Sequence, residues 1–224
     1  MRIASWNCNG KFREKFKEIK QINADIYVIQ ECENPKATNN SDYKSFAENY
    51  IWTGQNKSKG LGVFAKKSIS IRNNNWNTYC LKNFLSVKIN DAFDLIAVWA
   101  CKPYIEEYYI YQNINLEKYK QSTIVIGDFN SNKIWDKNYG ERNHSKVVEE
   151  LSNIGLNSAY HSIYKENQGE ETFKTFYLYR HQDKGFHIDH CFICKSNIKS
   201  YSIEATEPWL QFSDHIPVIL ETIT

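Results

Sequence analysis

The chain has 224 residues, of which 42% are hydrophobic and 24% charged, with only 9 Gly and 4 Pro; this excludes a fibrous or low-complexity protein. A chain this long buries roughly 70% of the surface its unfolded form exposes, so its core needs no staples. The 28 Lys and Arg nearly balance the 26 Asp and Glu, leaving a net charge of +2, which excludes a strong overall basic excess but leaves room for a local basic face on nucleic acid.

No linker, charge block or repeat divides the sequence, which predicts one domain over 1–224. Residues 2–6 are β-compatible. The first ten residues lack the apolar core of a secretory signal. With six scattered Cys, that places reduced thiols in a cytoplasmic protein. Residues 11–22 read as a helix, because Phe12, Phe16, Ile19 and Ile22 fall on one face. Residues 25–31 form an apolar strand that ends in the carboxylate of Glu31. Asn34-Pro35 and Asn39-Asn40 mark a loop, and 41–49 a short helix. A β-rich stretch follows at 50–53, 62–65, 69–72, 78–81, 85–89 and 95–101, with Asn90-Asp91 as a hairpin-type turn. The last of these strands is the longest apolar run, seven residues, whereas a membrane-crossing helix needs about 20. A helix is expected at 105–119 and a buried strand at 123–128. Residues 144–153 form a helix with Val147, Val148 and Leu151 on its apolar face and Gly155 as its stop. Strands then follow at 157–161, 175–179, 188–194 and 216–222. Interleaved helices and strands, with several strands consecutive, suit a layered α/β protein with mostly antiparallel pairing.

The chemically interesting residues sit at strand ends, where scaffolds carry function. Asn7 and Asn9 follow the first strand, and Glu31 ends the second. Asp128 and Asn130 end the 124–127 strand, and Asp189 lies inside 188–194. Asp214 and His215 precede the last strand. Each alone is an ordinary turn or cap residue. Together they put acid, amide or imidazole beside five buried strands. Oxygen ligands of this kind suit a hard cation, Mg²⁺ or Mn²⁺. A histidine among carboxylates suits a general base or a charge stabiliser.

Ser5-Trp6-Asn7-Cys8-Asn9-Gly10, Ile29-Gln30-Glu31, Gly127-Asp128-Phe129-Asn130, Ile188-Asp189-His190 and Ser213-Asp214-His215 occur in the order of the endonuclease/exonuclease/phosphatase superfamily, which the chain resembles from residue 3 to residue 220. Gly60-Leu61-Gly62-Val63 is similar to that family's early glycine-containing strand. The resemblance implies a four-layer sandwich of two mostly antiparallel β-sheets flanked by helices, with one active site across the top. It implies Mg²⁺ as cofactor, with Mn²⁺ as a substitute. Glu31 matches the principal metal ligand, Asn9 a position beside the metal, and Asp214 a residue near it. Asn7 matches an amide that holds the phosphate. Asp128 and Asn130 match the pair that positions the attacking water and the phosphoryl oxygens. Asp189 matches the carboxylate that orients the catalytic histidine, and His215 that histidine. Either Asp128 or His215 then takes the proton from water, or His215 stays protonated and binds the phosphate.

Two departures bear on substrate. Where the family's nucleases carry Tyr or His after the 95–98 strand, this chain has Trp99, with Lys102 three residues on. An indole N–H donates one hydrogen bond but is no acid, and Tyr104 offers an alternative from the loop. Lys102 reads equally as a phosphate contact and as a solvated lysine. Apurinic endonucleases place Trp three residues before the aspartate that here is Asp189; this chain has Phe186, which weighs against abasic-site cleavage. Residues 172–187 interleave Lys174, Arg180, His181, Lys184 and His187 with Phe173, Phe176, Tyr177, Tyr179 and Phe186. That is a wall for a polynucleotide or a hairpin with a wet face. Lys57, Lys59, Lys66, Lys67 and Arg72 form a second basic stretch, for phosphates or for solvent. Cys191 and Cys194 point to opposite faces of a strand, so they do not share a metal.

The expected function is a Mg²⁺-dependent phosphodiesterase acting on nucleic acid, first of all DNA, as a monomer. The alternative is a phosphatase or phosphodiesterase for a small phosphorylated molecule or a lipid headgroup. A third reading, an inactive binding module, has the complete Glu31, Asp128, Asp189, Asp214 and His215 set against it.

Overall fold

The computed structural model of the protein describes residues 1–223. Two six-stranded sheets lie face to face. The first contains, side by side, β13 (Ile198–Ile203), β14 (Val218–Thr222), β1 (Arg2–Asn7), β2 (Ile26–Cys32), β4 (Lys59–Ala65) and β3 (Tyr50–Asn56). The second contains β5 (Ile71–Asn73), β6 (Phe84–Ile89), β7 (Phe93–Trp99), β8 (Ile124–Asp128), β12 (Asp189–Ile193) and β9 (Asn157–Ser158). A separate hairpin joins β10 (Phe176–Tyr177) to β11 (Gly185–Phe186). Within the two sheets, β1–β2 and β7–β8 are parallel, and the other pairs are antiparallel.

The two-residue period of a strand sorts its side chains into layers. Ile3, Ile26, Val28, Leu95, Ala97, Ile124, Ile126, Cys191 and Ile193 fill the space between the sheets. Their out-of-phase neighbours, Ala4, Trp6, Tyr27 and Ile29, pack outward under α1 (Phe12–Lys20), α2 (Ser41–Phe46) and α6 (Thr206–Trp209). On the second sheet, Ile96, Val98, Val125 and Phe192 meet α3 (Ile105–Asn115) and α4 (His144–Asn153). The result is the expected four-layer sandwich, and strands covered on both faces read as continuous apolar runs for that reason.

Continuing the same inward phase past the apolar residues gives Asn7 on β1, Trp99 on β7, Asp128 on β8 and, at the opposite-running start of β12, Asp189. The polar site is therefore the top layer of the inter-sheet core. Gly127 lets β7 and β8 approach there. Its φ is +149°, and a Cβ would lie 2.0 Å from the Val98 carbonyl oxygen. Gly127→Ala is expected to destabilise the fold by roughly 2–3 kcal/mol, seen as a lower urea midpoint at unchanged m value.

Three expected strands are corrected. Of 175–179 only Phe176 and Tyr177 are strand, and Leu178–Arg180 turn instead, with Tyr179 at φ 55°. Residues 78–81 form a tight turn instead, with Leu81 N–H bonded to the Thr78 carbonyl and Tyr79 at φ 50°. The β-forming side chains there have no strand to pair with, because β6 pairs with β5 and β7. Of 157–161, Asn157 and Ser158 pair with β12. Ser158 then caps a helix, α5 (Ala159–Tyr164), by accepting the His161 N–H, so local capping outweighs β propensity. β13, an edge strand with mostly wet side chains, and α6 carry little apolar signal and were not anticipated. No helix of the described residues is long and apolar enough to cross a membrane.

Candidate active site

Asp128 is fully buried at the end of β8. Its Oδ1 accepts the Asn130 backbone N–H at 2.8 Å. Its Oδ2 accepts the side-chain amides of Asn7 at 2.9 Å and Asn130 at 3.0 Å. Asn130 reaches back because its φ of 47° turns the chain sharply after β8, and it also donates to the Ala100 carbonyl at 3.1 Å. Burial pushes the Asp128 carboxyl up to about 7; the His215 charge opposes the rise, the Asp189 charge adds to it, and the two asparagines lower it.

His215 Nδ1 donates to Asp189 Oδ2 at 2.9 Å, which fixes the tautomer that leaves Nε2 facing Asp128. Nε2 lies 3.9 Å from Asp128 Oδ2, too far for a hydrogen bond. Burial alone lowers the imidazole's proton affinity. The Asp189 and Asp128 charges and the Asp189 hydrogen bond outweigh it, and the pKa is pushed up to about 10. The ligand atoms of Asp128, Asp189 and His215 all lie within 4.8 Å of one another. The two carboxylates that raise the His215 pKa favour its charged form, which balances their negative charge.

The Ser213-Asp214-His215 turn is pinned from both sides. Ser213 Oγ donates to the Asn7 carbonyl at 2.7 Å and accepts the His215 N–H at 3.1 Å, and Trp6 Nε1 donates to the His215 carbonyl at 3.0 Å. On the other side Tyr177 N–H bonds to the Asp214 carbonyl at 2.8 Å, and the Phe176 ring centroid lies 4.8 Å from the His215 ring. Thr175 Oγ1 accepts the N–H groups of Ile188 and Asp189, each at 3.0 Å.

Glu31 belongs to the opposite, outward phase of β2. A bulge between Gln30 and Cys32, with Glu31 at φ 63°, re-aims it toward the strand ends, a use bulges often serve beside sites. Its carboxylate meets Lys59 Nζ at 2.8 Å, and that ammonium also lies 5.6 Å from the Trp99 ring centroid. Asn9 N–H donates to Asn7 Oδ1 at 3.0 Å.

The structure therefore brings Asn7, Asp128, Asn130, Asp189 and His215 into one cluster, Asn7 and Asn130 bonded to Asp128 and His215 to Asp189, with Asn9 and Asp214 in the adjoining turns and Glu31 and Trp99 linked through Lys59. The remaining expected contacts are not bonded to this group. Lys102 is exposed, and no ion pair or hydrogen bond joins its side chain to the group among the described residues. Tyr104 starts α3 through its backbone. Arg180 donates to the carbonyls of Gln211 at 3.2 Å and Phe212 at 3.5 Å. Phe186 joins an aromatic row, 5.2 Å from Trp135 and 6.5 Å from Phe176. Ser213, Thr175 and Lys59 were missed as site residues. Ser213 stood inside a quoted motif and Lys59 inside a basic stretch, so both carried a signal.

The model of the Endonuclease/Exonuclease/phosphatase family matches residues 4–215. The chain belongs to this family. It is thus a phosphoric-ester hydrolase by family. No curated protein matches it by sequence. Among solved structures, an AP endonuclease from Archaeoglobus fulgidus is 15% identical with a TM-score of 0.75, each chain covered fully. The 3'-5' exonuclease NExo from Neisseria meningitidis is 17% identical with a TM-score of 0.70, 99% of each chain being covered. NExo described as a 3' phosphatase bound to product DNA hairpin gives 17% and 0.71 over the whole of both chains. These likenesses show the fold of an endonuclease/exonuclease/phosphatase family member.

Proposed function

We propose that residues 1–224 act as one monomeric catalytic domain, in a cytoplasm that keeps its thiols reduced, and hydrolyse phosphodiester bonds of nucleic acid, DNA in the first place. The observation that carries this reading is the Asp189–His215–Asp128 arrangement, an imidazole hydrogen-bonded to one buried carboxylate and held 3.9 Å from a second. Ionised Asp128 takes the proton of the attacking water, and Asn7 and Asn130 hold that carboxylate in place. His215 keeps its proton, and its Nε2–H is free to meet a phosphoryl oxygen. Of the two roles open to His215, the higher pKa favours the phosphate-binding one.

Glu31, Asn9 and Asp214 are the residues that would hold the divalent cation. They fit it chemically: all three offer oxygen donors at the strand ends, and the Glu31 carboxylate is mostly sheltered yet faces an exchangeable lysine. Bound there, Mg²⁺ or Mn²⁺ supplies neutralisation of the phosphoryl oxygens and of the leaving oxygen. The aromatic row of Phe176, Phe186 and Trp135 beside His215 offers faces for sugar or unstacked bases. The description of NExo as a 3' phosphatase on a DNA hairpin favours one second reading, removal of a terminal 3'-phosphate from DNA at the same site.

The test uses purified protein with Mg²⁺ or Mn²⁺ on labelled double-stranded, single-stranded, abasic-site and 3'-phosphate-ended DNA. Cleavage is expected to stop with EDTA and to fall about a hundredfold in His215→Ala, the scale of losing one preorganised donor. Well-folded protein that processes none of these substrates would overturn the DNA reading and point to RNA or a small phosphate ester.

A further inference from the structure

Lys59 spans the two sheets. It is the first residue of β4, opposite Asn56 across the β3–β4 hairpin. From there its ammonium reaches Glu31 on β2 at 2.8 Å and the Trp99 face on β7 at 5.6 Å. Trp99 is the register partner of Asp128, so this ammonium stands at the mouth of the site. The hairpin is firmly seated. Trp52 Nε1 donates to the Cys32 carbonyl at 3.2 Å, and a Cβ on Gly60 would come within 2.4 Å of the Trp52 ring. Among the described residues, Lys59 is the only cation within ion-pair distance of Glu31.

We propose that Lys59 is the resident counter-ion of Glu31 in the free protein, is displaced when a divalent cation binds, and then holds a substrate phosphate as a positioning residue. The inference rests on Glu31 being a cation ligand. The exchange is cheap on the side of the lysine, because its side chain is 48% exposed and ion pairs that open to solvent are weak. Its flexible four-carbon stem suits the move, and an ammonium binds phosphate as a point charge without fixed geometry. The Trp99 face keeps the displaced ammonium near the cleft through its negative quadrupole. Two opposite effects follow from one residue. Lys59 weakens cation binding to the free protein and strengthens substrate binding to the loaded one.

The experiment measures Mn²⁺ binding to the free protein by the EPR signal of unbound Mn²⁺, for wild type, Lys59→Met, Lys59→Arg and Glu31→Gln. Lys59→Met is expected to bind Mn²⁺ about fivefold tighter, the scale of an exposed ion pair. Lys59→Arg should stay near wild type, and Glu31→Gln should lose most binding. With Mn²⁺ saturating, Lys59→Met should raise KM for DNA more than it lowers kcat, and should reduce the salt slope of DNA binding by about one. Unchanged or weaker Mn²⁺ binding in Lys59→Met, with binding lost in Glu31→Gln, would overturn the role of Lys59 and leave Glu31 as the ligand. Wild-type binding in Glu31→Gln would overturn the ligand itself, and the proposal with it.

Discussion

Asp128→Asn is expected to slow phosphodiester cleavage by about a thousandfold, within the range a positioned general base supplies. The amide keeps the shape of the carboxyl but cannot accept a proton. It also sets an NH₂ group against donors already present, since both Asp128 oxygens accept N–H groups from Asn7 and Asn130. The wild-type rate should rise with pH as Asp128 ionises around 7 and fall as His215 loses its proton around 10, giving a bell whose limbs belong to the pair. In Asp128→Asn the rising limb should vanish. The His215 ring should also titrate lower, because one of the two carboxylates that raise it is gone. A retained rising limb, or an unmoved His215 titration followed by NMR, would reject the assignment of Asp128 as base.

Much of this site was legible in the sequence, because strand phase and site position are the same fact. Asn7 and Asp128 stand on the inward phase of an apolar strand just where it ends, and Asp189 just where its strand begins. The bounds of α4 are legible because Val147, Val148 and Leu151 share one face and Gly155 follows, whereas the cap that starts it, Asn143, comes from the structure. What stayed hidden depended on partners far along the chain. The 78–81 segment has β-forming residues but no free sheet edge to join. Ser158 turns a strand into a helix through a single cap. Glu31 is in the wrong phase for the site until a bulge re-aims it, and nothing in Ile29-Gln30-Glu31 marks that bulge. Lys59 acquires its meaning only when the β3–β4 hairpin folds over Glu31. Tyr104 takes φ 63°, so linear distance from Trp99 does not set where its side chain goes.

Acid should destabilise the fold between pH 6.5 and about 4, through histidines that lie beneath the site. His144, His187 and His190 are all buried. Their rings cluster, with centroids 4.6 Å apart for His144–His190 and 5.0 Å for His187–His190. His190 Nε2–H donates to the Ser131 carbonyl and His187 Nδ1–H to the Phe173 carbonyl, each at 2.9 Å, so each ring is a settled neutral tautomer. Burial lowers His144 to about 4, against the Asp136 and Glu171 charges that raise it. Burial also lowers His187, and it takes His190 well below its ordinary value. The unfolded chain binds these protons from pH 6.5 downward while the folded chain refuses them, so stability rises with pH across that window. For His144 alone the shift corresponds to about 3 kcal/mol. Two groups oppose the trend: the raised Asp128 carboxyl gains a proton in the fold first, and the raised His215 does the same until pH falls past its unfolded value near 6.5. Glu171 sides with the histidines at still lower pH, because its hydrogen bonds hold it well below the carboxylate range despite burial. Urea midpoints measured from pH 7.5 to 4.5 should therefore fall, and His144→Leu should flatten the slope while leaving the rest. A slope unchanged by that substitution would overturn the assignment of His144 to this acid response.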